Sequence, residues 1–121
     1  IFNTVEQMPR FPGCEEKTDK EEKEQCSGQK LMQYIYSNLR YPESAIEKGI
    51  EGRVVVRFVI DKSGYVTDVK ILRDIGGDCG TEVKRVIESM NALPEKWIPG
   101  RQAGQKVNVY YTLPVVFKLS K

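Results

Sequence analysis

Between residues 107 and 119 every odd position is apolar: Val107, Val109, Tyr111, Leu113, Val115, Phe117 and Leu119. A period of two is the mark of a strand with one buried face, and it predicts a strand over 107–119. The stretch from Glu51 to Asp61 contains RVVVRFVI, apolar on both alternating sets except at Arg53 and Arg57. Such a strand is covered on most of its surface and belongs in the middle of its sheet. Its two arginines share a face and can meet carboxylates. Asp61-Lys62-Ser63-Gly64 then supplies a hairpin turn, with Gly64 free to take the left-handed conformation. Residues 65–73 form the return strand, with Val69 and Ile71 on one face.

Elsewhere the period is helical. Leu31, Tyr34, Ile35 and Leu39 lie on one stripe, shared with the polar Asn38, and Ser27 is placed to cap a helix reaching about Arg40. Tyr41-Pro42 stops that helix, because the residue before a proline avoids the α region. Pro42 opens a short helix that ends at Gly49. Thr81 is placed to cap a further helix with Val83, Val86, Ile87 and Met90 as its apolar stripe. Residues 1–13 carry no period and read as an extended arm. The charged run from 14 to 27 offers the i,i+4 pairs Glu16–Lys20, Lys17–Glu21 and Lys20–Glu24, compatible with a solvated helical turn or with a surface loop.

The order helix, short helix, strand, strand, helix, strand is α+β. It predicts a three-stranded antiparallel or mixed sheet, spatial order 2-1-3, with the helices packed on one face. The units are an arm with a charged insertion (1–27) and a domain (28–121). The last strand lies on an edge, which accounts for Pro114. In a strand the N–H and C=O of one residue point to the same side and those of the next to the other. If the odd residues pair inward, then Asn108, Tyr110 and Thr112 present free donors and acceptors outward, and Pro114 presents only a carbonyl. The proline then costs the internal sheet nothing and limits how far a foreign strand can pair. Either it guards the edge against aggregation, or it bounds a segment left open for a visiting peptide. The strand alone is compatible with both.

Composition narrows the chemistry. The 121 residues suit one domain; the net charge is only +2, with acids and bases interleaved and no basic stripe, which argues against a nucleic-acid partner. There is no histidine, so the commonest general base is missing and a common metal ligand with it. Neither a cofactor nor a metal site is expected. Cys79, in GGDCG, reads as a small buried residue, since no base is in sight to make it a nucleophile. Cys14 and Cys26 flank the charged run. They are either two free thiols or a bridge closing a short loop, worth about 3 kcal/mol. Trp97 reads as a half-buried lid on the core. The chain starts at Ile1 and reads as a processed chain or excised fragment, with any anchor upstream.

The run NLRYPESAIEKGIEGRVVVRFVIDKSGYVTDVKIL, then EVKRVIESM, then WIPGRQAGQKVNVYYTLPVVFKL resembles the TonB C-terminal domain, especially its form in Bacteroidetes energy transducers. The resemblance covers roughly 28–119 plus the arm VEQMPRFPG, and is carried by Tyr41-Pro42, Gly49, Gly52, Gly64 and Trp97-x-Pro99-Gly100. It implies a periplasmic domain, tethered to the inner membrane by an upstream segment and working with ExbB and ExbD. It also implies a partner, the TonB box of outer-membrane receptors for siderophores, cobalamin or glycans, added as a strand along Val107, Asn108, Val109, Tyr110, Tyr111, Thr112 and Leu113. Tyr41 and Pro42 match the family's motif. No catalysis is implied. An oxidising periplasm favours the Cys14–Cys26 bridge. Many family members lack the insertion from Cys14 to Cys26. A second reading makes the same module the ligand-binding arm of a membrane-bound metallopeptidase sensor. An open edge can also pair two copies into a homodimer.

Overall fold

The computed structural model describes residues 1–119; the last two residues of the 28–121 unit lie outside the described residues. The elements are α1 (Lys20–Asn38), α2 (Glu43–Lys48), β1 (Gly52–Ile60), β2 (Val66–Arg73), α3 (Cys79–Ser89), β3 (Gly100–Gln102), β4 (Gln105–Val107) and β5 (Val109–Phe117). The expected α+β architecture is present. The main sheet has the order β2-β1-β5 and both of its pairings are antiparallel.

Alternation decides which face is buried. Val54, Val56, Phe58 and Ile60 of β1 and Leu113, Val115 and Phe117 of β5 join Leu31, Ile35, Val83, Val86 and Ile87 from the helices in one core. The opposite face carries Arg53, Thr112, Pro114 and Val116, all exposed. The helices therefore cover one side of the sheet only.

Three expected element starts are corrected. The first concerns α1, which starts at Lys20 rather than at Ser27. Asp19 caps it by accepting from the Glu21 N–H, and Glu21 and Glu22 stabilise its positive end. Ser27 sits inside the helix and is 4% exposed; its Oγ accepts the Phe11 N–H at 2.6 Å, so it ties the arm to α1. The boundary drawn at 27/28 thus falls within a continuous helix. Among the described residues the ion pairs of this segment are Arg10–Glu15 and Lys23–Glu15, not the three i,i+4 pairs.

The second correction is at α3, where Thr81 lies in the first turn. Its start is organised by Asp74, whose Oδ1 accepts from the N–H groups of Ile75, Gly76 and Gly80. The third is the last strand, which is two strands. Val107 ends β4, which forms a small hairpin with β3, and β5 begins after Asn108. Asn108 leaves the ladder because its side chain accepts the Lys62 N–H, pinning the β1–β2 turn.

The turn itself follows the sequence. Asp61 Oδ1 accepts from Ser63 and Tyr65, and Gly64 has φ +85°. Trp97 is more deeply buried than a lid: it is 3% exposed, and its ring packs edge-on against Phe11, Phe58 and Tyr111.

Candidate functional site

The candidate site is the outer edge of β5. Because Val54↔Val115 and Val56↔Leu113 are partners in the β1–β5 ladder, the even residues of β5 turn their backbone groups away from the sheet. Three contacts verify this. The Asn108 carbonyl accepts the Phe2 N–H at 3.1 Å, Tyr110 N–H donates to the Phe2 carbonyl at 2.8 Å, and Val116 N–H donates to the Tyr36 hydroxyl at 2.9 Å.

The edge is therefore partly occupied. The arm's Phe2 pairs parallel to the start of β5, and Tyr36 of α1 takes the far end. Between them lie the Tyr110 carbonyl, both backbone groups of Thr112 and the carbonyl of Pro114. No hydrogen-bond partner for these groups occurs among the described residues. Thr112 is exposed, so its backbone groups are open to solvent. Sequence reasoning found the edge but not that Phe2 covers part of it, since nothing in IFNTVEQ announces a strand.

The seven candidate peptide-binding residues do not form one surface. Val107 belongs to the small hairpin. Asn108 and Tyr110 contribute to the arm's pairing. Val109 is fully buried, and Leu113 faces the core, largely buried. Tyr111 packs on Phe58, with ring centroids 5.5 Å apart, and burial pushes its phenol pKa up, so it stays neutral. Only Thr112 combines exposure with free backbone groups. Tyr110 has a different neighbour from any foreseen: the Arg57 guanidinium lies 4.4 Å from its ring centroid. Arg53 and Arg57 meet no carboxylate among the described residues.

A cavity of about 580 Å³ opens beside Thr112. Its walls are the arm (Asn3, Met8, Pro9), α1 (Glu24, Gly28, Leu31, Met32) and β5 from Tyr110 to Leu113. A second, more open cavity runs along α1 to Tyr36 and shares Glu24, Gly28 and Met32 with the first. Gly28 is in the middle of α1, where glycine costs about 1 kcal/mol relative to alanine; a Cβ there would meet nothing within 4 Å.

The arm that forms one wall is fixed at several points. Gln7 bridges Arg101 and Arg10 bridges Ile98 through backbone bonds. The Arg10 side chain, almost fully buried, forms two hydrogen bonds with Glu15, at 2.8 and 2.9 Å. That guanidinium holds the Glu15 carboxyl below its usual range. Cys14 and Cys26 are bridged, which joins the end of the arm to α1.

The other motif residues lie elsewhere. Tyr41 stacks edge-on against Phe117, with centroids 5.3 Å apart, and its hydroxyl donates to the Ile50 carbonyl. Pro42 is the N-cap of α2. Both shape the closed end of the sheet rather than the open edge. Cys79 is fully buried, and burial, together with Asp74 and Asp78, raises its thiol pKa, so the thiolate is disfavoured. The opposite sheet edge, β2, is a poorer template. Asn91 bonds both backbone groups of Val66, and Asp68, at φ 49°, coincides with a break in register. Among the described residues no helix is long and apolar enough to cross a membrane.

Residues 37–119 match the family described as Gram-negative bacterial TonB protein C-terminal. A stretch of 44 residues is 46% identical to Protein TonB of Helicobacter pylori in two strains, J99 and 26695. It amounts to 36% of this chain and to only 16% and 15% of the two relatives' lengths. Two NMR solution structures of the H. pylori TonB C-terminal domain are similar. One has a TM-score of 0.60 at 23% identity, covering 91% of this chain and 97% of its own. The other has a TM-score of 0.55 at 27% identity, covering 77% and 94%.

Proposed function

The chain belongs to the TonB C-terminal domain family, and we propose that it is the receptor-gripping end of an energy transducer. In this reading the TonB box of an outer-membrane receptor adds as a strand to the outer edge of β5. The domain works in the periplasm, held to the inner membrane by a segment upstream of this chain. Proton-motive force reaches it through ExbB and ExbD, and it pulls on the receptor plug to admit a nutrient. It performs no catalysis.

The observation that carries this reading is Thr112: an exposed edge residue whose N–H and C=O have no partner among the described residues, bounded by Phe2 on one side and by Pro114 and Tyr36 on the other. Main-chain pairing makes little demand on peptide sequence, which suits one transducer serving several receptors. Each bond adds only about 1 kcal/mol net, so a short ladder is made and broken readily. The Cys14–Cys26 bridge fits an oxidising compartment.

The test is an NMR titration of the isotopically labelled domain with peptides from the N-terminal segments of TonB-dependent receptors. The largest amide shifts should fall at Tyr110 to Leu113. Shifts confined to the β1–β2 turn, Lys62 to Tyr65, would overturn the assignment.

A further inference from the structure

We infer that the cavity between α1, the arm and β5 is a side-chain pocket that selects an extended peptide with a large apolar residue at one position. The inference rests on the strand-addition reading and gives it a sequence preference.

A strand laid along Thr112 alternates its side chains between the two faces of the sheet. Those on the helix side follow the direction taken by Tyr111 and Leu113, and that direction leads into the cavity of about 580 Å³. The lining suits an aliphatic or aromatic group: Met8, Pro9, Leu31, Met32, Tyr111 and Leu113. Two methionines let it adapt to different shapes. An acidic residue would lose water against this apolar lining, while the charges at the wall, Glu24 and the Glu15-paired Arg10, offset each other.

Gly28 provides the space. It lies inside a long helix, a position where glycine lowers stability, yet no neighbouring atom requires a missing Cβ. Its effect is to leave the α1 wall bare where the two cavities join. The arm and helix residues of the pocket, 3 to 32, all precede the family-matched segment 37–119. Backbone pairing therefore comes from β5, and the helix-side walls of the pocket from the arm and α1, held together by the Cys14–Cys26 bridge.

The test uses acetylated, amidated Ser/Thr peptides of about eight residues, the length of an ordinary strand, with a central guest of Leu, Ser or Asp. Binding is read from the Thr112 and Gly28 amide shifts. The wild-type protein should bind the Leu peptide about tenfold more tightly than the Ser peptide, as expected for partial burial of one aliphatic side chain, and the Asp peptide least. Gly28→Leu, which fills the pocket from a helix position with open space, should remove most of that preference by bringing the Leu peptide's affinity down to near that of the Ser peptide. Gly28→Ala, with a single added methyl, controls for helix stability and should retain it. An equal Leu-to-Ser ratio in wild type and Gly28→Leu, with Thr112 still shifting, would overturn the pocket and leave strand addition standing. If no peptide moves the Thr112 amide, strand addition fails and the pocket with it.

Discussion

The backbone N–H of Tyr110 donates to the carbonyl of Phe2 at 2.8 Å, and the Phe2 N–H returns the contact to Asn108 at 3.1 Å. The arm thus sits where the first residues of a visiting strand would sit. Phe2→Pro removes one of these bonds without touching β5. One net hydrogen bond is worth about 1 kcal/mol, so receptor-derived peptides should bind about fivefold more tightly. Isothermal titration of wild type and variant reads this directly, and equal or weaker binding by the variant would show that arm and peptide do not compete.

Pro114 limits the open edge on the other side. Its carbonyl faces outward but it has no N–H to offer. Pro114→Thr restores that donor and lengthens the free edge. Sedimentation velocity should show the variant shifting toward a dimer at concentrations where the wild type sediments as a monomer. Identical sedimentation would mean the proline does not restrain pairing.

The Cys14–Cys26 bridge closes a loop with a sequence separation of 12. Its reduction should cost about 3 kcal/mol, as expected for loops of this size. Thermal unfolding with and without reductant measures the loss. An unchanged midpoint would mean that the arm is held by the non-covalent contacts of Phe2, Gln7, Arg10 and Phe11 without help from the bridge.

Glu15 titrates below the ordinary carboxylate value, held there first by its hydrogen bonds from Arg10. A depressed folded-state pKa means the stabilisation is fully present above the unfolded value, 4.5, and is lost as pH falls through the lower folded value. Glu15 is partly solvated, so the contribution is about 0.5 kcal/mol after screening. Glu15→Gln should therefore flatten acid unfolding below pH 4.5 and lower stability slightly at neutral pH. Parallel acid-unfolding curves would remove the pair from the account of arm docking.

Gly64 turns the β1–β2 hairpin at φ +85°, and a Cβ there would collide with the Trp97 carbonyl. The backbone is close because Trp97 N–H donates to the Gly64 carbonyl at 3.2 Å. Gly64→Ala combines left-handed strain with that collision, so it should cost about 2 kcal/mol or more. Denaturant melts followed by Trp97 fluorescence report it, and a loss below half that size would show that the hairpin can shift without penalty.

Much of the fold was legible along the chain. The nearly continuous apolar run RVVVRFVI and the alternation in VYYTLPVVF identified a covered strand and a half-buried one, because side-chain period depends only on local backbone geometry, and the element order put the second on an edge. The turn at Asp61–Gly64 and the α+β order were readable for the same reason. The helix start was not. Ser27 has the chemistry of a cap, but its hydroxyl is used by Phe11, sixteen residues away. The break at Asn108 was hidden likewise, because its cause is a bond to Lys62. In the candidate site, parity put Asn108, Tyr110 and Thr112 outward on condition that the odd residues pair inward, and it left the role of Pro114 open. The arm's occupation of the edge, Tyr36 at Val116 and the cavity beside Gly28 could not be read from it.

The sequence by itself determined that β5 is a strand with one buried face, that the element order sets it beside β1 at an edge, and that a proline is tolerated there if the odd residues pair inward. This follows from period, connection order and the missing N–H. Only the tertiary structure decided how much of that edge is free. Phe2, Tyr36 and α1 reach it from distant parts of the chain, and no local pattern encodes contacts across 80 or more residues. Their placement is set by packing around Phe11, Leu31 and Trp97, where burial of apolar area outweighs local preference.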